Sequence, residues 1–268
     1  MSGKINVGII GAGRIGMVHA KNIKEFIPEI NIVAIADPYL KDESKEKLKE
    51  LKINSISKDP NTIIDNNEID AVLICSSTDT HSQFIIEAAK KGKHIFCEKP
   101  IDYDLEKVHE AIDTAKGANV KLQIGFCRRF DKNHRGIYEA IQSKNFGRVQ
   151  LIKITSRDPE PPPIEYVKKS GGIFYDMMVH DFDMARFLAN SEVIEVSATG
   201  TVLIDPEIGK ADDYDIAIVT LKFENGVIAT IDNSRKAIYG YDQRIEVLCS
   251  EGLILDENEK MNTIMIAD

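Results

Sequence analysis

The sequence has no excess of positive charge. Its 268 residues include 34 Lys and Arg against 43 Asp and Glu, which gives a formal net charge of -9. A protein that binds nucleic acid needs a basic face to meet the phosphate backbone. The composition therefore argues against nucleic acid as the main partner and favours a small-molecule ligand.

Long hydrophobic runs are also missing. No apolar stretch approaches the ~20 residues that a helix needs to cross a bilayer. The start of the chain, Met1 to Lys4, leads directly into a strand pattern and does not resemble a signal peptide. We therefore expect no membrane partner and a cytoplasmic location.

Cysteine is sparse, and its spacing suggests no pairing. Cys75, Cys97, Cys127 and Cys249 are scattered, and three of them sit in apolar strand-like runs. Buried, reduced thiols are the expectation. A Cys nucleophile or a metal site is the less favoured alternative, because no close Cys/His ligand spacing accompanies them, and we predict no metal.

The remaining composition is that of an ordinary globular protein, with 43% hydrophobic and 29% charged residues. This length is sufficient for two modest domains.

The first half begins with a strand, a glycine turn and a helix. Apolar residues 4–10 precede Gly11, Gly13 and Gly16, and a helical pattern then continues to Phe26. In such a turn the first glycine permits the tight bend and the second lets a pyrophosphate approach the backbone. The third lets the helix pack on the strand. The pattern predicts a dinucleotide site.

A second strand, residues 31–36, is followed by Asp37, which lies about 20 residues after the glycine turn. At this distance an acid hydrogen-bonds to the ribose hydroxyls of a dinucleotide. A carboxylate there also repels the additional phosphate of NADP, so NAD is favoured. The alternative for Asp37 is a turn residue before Pro38.

Strand-like and helix-like segments alternate as far as Cys97, which implies a parallel, doubly wound sheet. Ligands of such sheets lie beyond the carboxyl ends of the strands. The loops 76–81 and 98–100 are therefore expected to line the cofactor site. The predicted cofactor-binding residues are Gly11, Gly13, Arg14, Ile15, Gly16, Asp37, Ser77, Thr78, Glu98 and Lys99.

Two residues of these loops could serve chemistry or only structure. Lys99 could stabilise a developing alkoxide or pass a proton, and its neighbours Glu98 and Pro100 favour a positioned rather than a merely solvated lysine. His81 has no acid nearby in the sequence, and we interpret it as a helix-start residue packed on the sheet.

The second half is rich in extended runs, with Glu224, Asn225 and Gly226 as hairpin residues. The pattern predicts an α+β domain with a mainly antiparallel sheet that is open on one face. The domain boundaries are expected at 1–122 for the Rossmann domain and 123–268 for the second domain, which would bind substrate and mediate oligomerisation.

Asp176 and His180 stand four residues apart in a helical pattern, directly after Gly171 and Gly172. Residues at this spacing share a helix face. A carboxylate beside an imidazole suits proton transfer, but a packed helix pair is the favoured explanation of this spacing taken by itself. Metal binding is less favoured, because Asp181 and Asp183 should point along other faces.

The proline-rich segment 158–163 predicts either a stiff active-site loop or a plain surface turn. In the first case Asp158 is well placed to accept hydrogen bonds from a polyol.

These motifs together resemble the glucose-fructose oxidoreductase/inositol dehydrogenase/rhizopine catabolism (Gfo/Idh/MocA) superfamily, over essentially the whole chain. The motifs that carry the resemblance are the glycine turn, Glu98-Lys99-Pro100, Arg128-Arg129-Phe130-Asp131, the run from Gly171 to Asp183, and Tyr239 to Arg244. The last two of these are typical of the inositol dehydrogenase branch.

The resemblance implies oxidation of a ring hydroxyl of myo-inositol to the ketone by hydride transfer to NAD. It further implies that Lys99, Asp176 and His180 form the catalytic set, with His180 as general base. It suggests a homotetramer, and substrate contacts from Arg128, Asp158, Asp183 and Tyr239.

Two alternatives remain open at this point. One is the same chemistry on another cyclitol or an aldose sugar; the other is an NAD-binding protein without turnover. The second arises because members of the family are typically some tens of residues longer than this chain, which ends at Asp268. We therefore expect the chain to be truncated at its C-terminus.

Overall fold

The computed structural model describes residues 3–53 and 55–258. The chain divides into two compact units, Met1–Gly125 and Phe126–Asp268. The sequence pattern put this boundary after residue 122. The expected C-terminal truncation concerns a segment whose last residues, 259–268, lie outside the described part.

The first unit is built on a six-stranded sheet in which all neighbouring strands are parallel, in the order β3-β2-β1-β4-β5-β6. Its strands are β1 (Ile5–Ile10), β2 (Ile30–Ala36), β3 (Ile56–Ser57), β4 (Ala71–Ile74), β5 (His94–Cys97) and β6 (Leu122–Ile124). Its helices are α1 (Arg14–Phe26), α2 (Asp42–Glu50), α3 (Asn61–Ile64), α4 (His81–Lys90) and α5 (Leu105–Gly117). The predicted doubly wound parallel sheet is confirmed.

The strands of this sheet are buried along successive residues rather than at alternate ones. In β1, Val7, Gly8, Ile9 and Ile10 are all buried. Continuous apolar runs of this kind are typical of parallel strands that are covered on both faces. Helices must therefore cover both faces, and the carboxyl ends of the strands are the places left for a ligand.

The second unit contains a mixed, mostly antiparallel sheet in the order β12-β11-β7-β10-β9-β8, where only β7 and β10 pair in parallel among the described strands. Its strands are β7 (Val149–Arg157), β8 (Val193–Thr201), β9 (Ile216–Phe223), β10 (Ile228–Ser234), β11 (Asp242–Cys249) and β12 (Gly252–Asp256). Its helices are α6 (Lys132–Gln142), α7 (Ile164–Ser170), α8 (Val179–Ala189) and α9 (Pro206–Lys210). The predicted α+β domain is confirmed.

One face of this sheet forms the core of the second unit. Residues of β9 alternate strictly between buried and outward positions, and Ala217, Val219, Leu221 and Phe223 point inward. They join one buried cluster with apolar residues of α8, such as Leu188. The inward-facing residues of the strand, which recur at every second position, therefore pack against the apolar face of the helix.

The opposite face of the sheet is open in the part of the chain that is described. Leu253, Leu248, Leu151 and Ile228 lie side by side across four strands on this face. Leu253 is 47% exposed and Ile228 is 42% exposed. Apolar groups in such a row are an association surface unless another element covers them.

The four cysteines are free, and Cys75, Cys97 and Cys249 are buried whereas Cys127 is exposed. Burial raises the pKa of the Cys75 and Cys97 thiols. Both therefore stay protonated near neutral pH, as expected for structural thiols. Within residues 3–53 and 55–258, no helix is long and apolar enough to span a bilayer.

The helix that carries Asp176 differs from the predicted one. Instead of one regular helix, a π-helical segment over Phe174–Met178 leads into α8. Such wide turns are rare and are often found at functional sites. Asp176 lies in the π segment and His180 lies in the first turn of α8.

We expect Phe223→Ala to lower the free energy of unfolding by ~4 kcal/mol, because it removes a buried aromatic side chain and leaves a cavity. The side chain of Phe223 is 0% exposed. The measurement is urea denaturation followed by circular dichroism. Lys222→Ala, the neighbouring outward position, is the matched control and should change stability by less than about 0.5 kcal/mol. Equal losses in the two variants would contradict the packing described.

Candidate active site

The glycine turn after β1 is shaped by close backbone contacts. Gly11 has a φ of +99°, and a Cβ there would lie 2.5 Å from the carbonyl oxygen of Cys75. A Cβ on Gly16 would lie 2.0 Å from the carbonyl oxygen of Gly11. Only glycine fits at either position, because the turn passes against β4 and the first turn of α1 packs on it.

Gly13 differs from these two glycines because a Cβ there would meet nothing within 4 Å. It precedes α1, and among the residues that the structure describes no side chain caps the N-terminus of that helix. The first N–H groups of α1 therefore remain available for an anion, and the helix dipole favours negative charge there. Arg14 and Ile15, which follow, are exposed. This cradle fits the pyrophosphate of a dinucleotide.

Asp37, at the end of β2, holds the glycine turn in place. Its Oδ2 accepts a hydrogen bond from the Ala12 N–H at 2.7 Å, and its Oδ1 accepts one from the Tyr39 N–H at 2.7 Å. Each carboxylate oxygen can accept a second hydrogen bond, so capacity for ribose hydroxyls remains. The turn role and the cofactor role, weighed as alternatives above, are compatible.

The loops after β4 and β5 are joined by His81. This side chain is 1% exposed, and its ring nitrogens lie 2.8 Å from the Pro100 carbonyl oxygen and 3.0 Å from that of Ser76. The interpretation of His81 as a packed helix-start residue is confirmed. By tying Ser76 to Pro100, it also fixes the predicted loop residues Ser77, Thr78 and Lys99 at the same sheet edge.

Glu98 has a partner that the sequence did not reveal. His19, on α1, places Nε2 2.7 Å from Glu98 Oε1, and its ring packs edge-on against Phe96 at 5.2 Å. Glu98 therefore connects the loop after β5 to the helix of the glycine turn. The only sequence feature that pointed to this contact was the position of His19 on the helix of the glycine turn, three residues after Gly16.

In the second unit, Asp176 is held by a hydrogen-bond donor and a cation from different segments. Tyr166 Oη donates to Asp176 Oδ1 at 2.8 Å, and Arg235 Nη1 lies 3.5 Å from Asp176 Oδ2. His180 follows one turn later and is half-buried. Neither Tyr166 nor Arg235 was predicted, because both reach Asp176 through the fold rather than by sequence spacing.

Asp158 belongs to the same electrostatic neighbourhood. Burial raises the pKa of its carboxyl, Arg235 acts in the opposite direction, and the nearby Asp176 raises it further. The backbone N–H of Asp158 donates to the Ser234 carbonyl at 3.0 Å. The structure thus brings Asp158, Asp176 and Arg235 together, although 158–163 and 174–178 are separate segments.

Arg128 and Asp183 have ion-pair partners within the second unit. Arg128 Nη1 donates to the fully buried Asp181 and to Ser156. Asp183 accepts two hydrogen bonds from Arg129, at 2.7 and 2.5 Å. The two acids on α8 therefore bind separate arginines. These pairs give both residues a structural role beside the predicted one.

Tyr239 is the most exposed of the predicted substrate residues, at 64%. Its hydroxyl accepts a hydrogen bond from Arg157 at 3.0 Å and donates one to Asp242 at 2.8 Å. Asp242 also binds Arg244.

The fold and these residues define an oxidoreductase with an NAD-binding Rossmann domain and a C-terminal α+β domain. Residues 5–126 match the family described as "Oxidoreductase family, NAD-binding Rossmann fold", and residues 134–255 match the GFO/IDH/MocA C-terminal domain. The chain belongs to the Gfo/Idh/MocA family, and NAD is its cofactor.

Among its relatives is a myo-inositol 2-dehydrogenase from Thermotoga maritima, 48% identical over 98% of this chain and 78% of that protein. A crystal structure of a probable dehydrogenase from Thermotoga maritima superposes with a TM-score of 0.93 at 48% identity, covering 98% of this chain and 79% of the other. A scyllo-inositol dehydrogenase from Lactobacillus casei, solved with NAD(H) and scyllo-inositol, has a TM-score of 0.89 at 31% identity, covering 99% and 80%.

Gly16→Ala and Gly13→Ala should separate folding from cofactor binding. At Gly16 the methyl group collides with the turn itself, so we expect a loss of at least about 3 kcal/mol of stability. At Gly13 the apo protein should be unchanged within about 0.5 kcal/mol, while the Kd for NAD rises about 10- to 100-fold.

Thermal unfolding of the apo protein and calorimetric titration with NAD measure these two effects. A Gly13→Ala protein that binds NAD normally would refute the assignment of this cradle to the pyrophosphate.

Proposed function

We propose that the protein is an NAD-dependent inositol dehydrogenase that oxidises a ring hydroxyl of myo-inositol to the ketone. The observation that carries the proposal is the arrangement of Asp176, held between Tyr166 and Arg235 one turn before His180. The proposal is supported by the 48% identity to a protein named myo-inositol 2-dehydrogenase.

His180 is the general base in this proposal and takes the hydroxyl proton. An imidazole suits this role because its ordinary pKa lies near neutral pH. The Asp176 carboxylate stabilises the imidazolium that forms. Lys99 donates a hydrogen bond to the substrate oxygen and stabilises the negative charge that develops on it. NAD, when bound, accepts the hydride from the carbon that bears this oxygen.

Substrate orientation is assigned to Arg128, Asp158, Asp183 and Tyr239. Asp158 is the strongest of these candidates, because its carboxyl is half-buried beside Asp176 and Arg235 and can accept hydrogen bonds from ring hydroxyls. Arg128 donates to Ser156 and to Asp181 through Nη1, one of the three nitrogens of its guanidinium. Its guanidinium therefore has further N–H donors to offer.

Another cyclitol is the second candidate substrate. It is favoured by the 37% identity over 95% of this chain to a protein named scyllo-inositol 2-dehydrogenase from Bacillus subtilis. Inositol isomers differ only in hydroxyl orientation, so the same base and cofactor can serve either one. An NAD-binding protein without turnover is less favoured, because Lys99, Asp176 and His180 are all present.

We further propose a homo-oligomer, a tetramer by the resemblance, that covers the open sheet face. The row of Leu253, Leu248, Leu151 and Ile228 supplies the apolar surface. A closed symmetric assembly would remove these side chains from water.

A substrate panel tests the proposed reaction. The protein is mixed with NAD and, separately, with myo-inositol, scyllo-inositol, glucose and xylose, and the absorbance of NADH is followed. Myo-inositol should give the highest kcat/KM. A higher value for scyllo-inositol or for a sugar would move the assignment to that substrate, and NAD binding without any turnover would support the binding protein.

His180→Ala should lower kcat about 10²- to 10⁴-fold, because the general base is lost. His109→Ala is the matched control, since His109 is an exposed histidine on α5, and it should leave kcat unchanged. Normal turnover by the His180→Ala variant would exclude His180 as the base.

A further inference from the structure

Arg235 is a charged side chain buried as completely as the apolar core. It is 1% exposed and is the largest of the fully buried side chains. Removing a guanidinium from water costs several kcal/mol unless counter-charges meet it. The structure must therefore place carboxylates against it.

Two aspartates supply these counter-charges. Arg235 Nη2 donates to Asp213 Oδ2 at 2.9 Å, and Nη1 lies 3.5 Å from Asp176 Oδ2. The Asp213 side chain is 5% exposed and that of Asp176 is 17% exposed. Asp213 is therefore the buried anchor of the guanidinium, and Asp176 lies on its more accessible side.

The anchor is itself fixed by the backbone. Asp213 Oδ1 accepts a hydrogen bond from the Ile173 N–H at 2.8 Å, and a Cβ on Gly172 would lie 2.8 Å from the same oxygen. The Arg235 N–H donates to the Asp215 carbonyl at 2.8 Å. Asp213 thus holds both the Arg235 guanidinium and the backbone at the start of the π-helical segment.

We propose that Arg235 is a positioning residue for Asp176: it holds this carboxylate in a fixed orientation against a buried positive charge, so that Asp176 can support proton transfer at His180. The inference rests on the proposed function, because it needs Asp176 to act in that reaction. Arg235 acts through Asp176 and is not itself assigned a contact with substrate.

The charges around Asp176 set the direction of the effect. Arg235 faces it from the segment after β10, Tyr166 from α7, and Asp158 from the end of β7; His180 follows on its own helix. Asp213 lies behind Arg235. Arg128 and Asp181 also act on Asp158. Arg235 is a cation of this group, and the loss of a nearby cation disfavours an ionised carboxylate and favours a protonated imidazole.

The test is the pH dependence of kcat/KM for the substrate identified by the panel, with NAD saturating. Arg235→Gln should move the acid limb to higher pH by about 1 unit, because a cation close to Asp176 is lost. Arg235→Lys keeps the charge, so its acid limb should lie close to that of the unmodified protein. Arg186→Gln removes an arginine that pairs with Glu192 at the end of α8, and should leave the profile unchanged.

Two outcomes overturn the inference. One is an unshifted acid limb in Arg235→Gln, whatever its stability; the other is an equal shift in Arg235→Lys and Arg235→Gln, which would indicate a merely structural role. Asp176→Asn separates this result from a failure of the proposed function. If Asp176→Asn turns over normally, the assignment of Asp176 is wrong; if it is impaired while Arg235→Gln keeps the normal profile, only the role of Arg235 is wrong.

Arg235→Gln could fail to fold, and Asp213→Asn then decides. Neutralising the anchor leaves more of the Arg235 charge to act on Asp176, so the acid limb should move to lower pH. A shift to higher pH, or none, in this variant would overturn the proposal.

Discussion

The second unit depends on the pairing of buried charges. Arg235 bridges Asp213 and Asp176, while Asp181 gathers Arg128, Ser156 and Asn233 around one fully buried carboxylate. Removing one partner of such a set leaves an unpaired charge in the interior, which lowers the free energy of unfolding by more than the ion pair itself contributes. The arrangement therefore ties β7, β10 and α8 together and fixes the geometry around the proposed base.

The Rossmann half was predictable from sequence because its signals are local. The glycine spacing, the strand that ends at Asp37 and the alternation of apolar runs each act within about 30 residues, the span of one βαβ unit. His19, Arg235 and Asp213 escaped sequence reasoning for the opposite reason. Their partners are far along the chain, and burial of an arginine leaves no pattern in the sequence.

Some missed elements did carry local signals. Asp131 caps α6 by accepting hydrogen bonds from Asn133 and His134, and Asp205 followed by Pro206 opens α9. Both are ordinary helix-start features. The π-helical segment had no such signal, because the contact of Asp213 with Ile173 that precedes it depends on the tertiary fold.

The two hydrogen bonds of Asp37 have a consequence for redesign of cofactor preference. Replacing this acid by a small neutral residue is an obvious way to admit the 2′-phosphate of NADP, but here the same carboxylate accepts the Ala12 N–H. Losing it leaves an amide of the glycine turn without its acceptor. If Asp37 sets the preference between the two nicotinamide cofactors as proposed, a redesign of that preference must also supply a new acceptor for the Ala12 N–H.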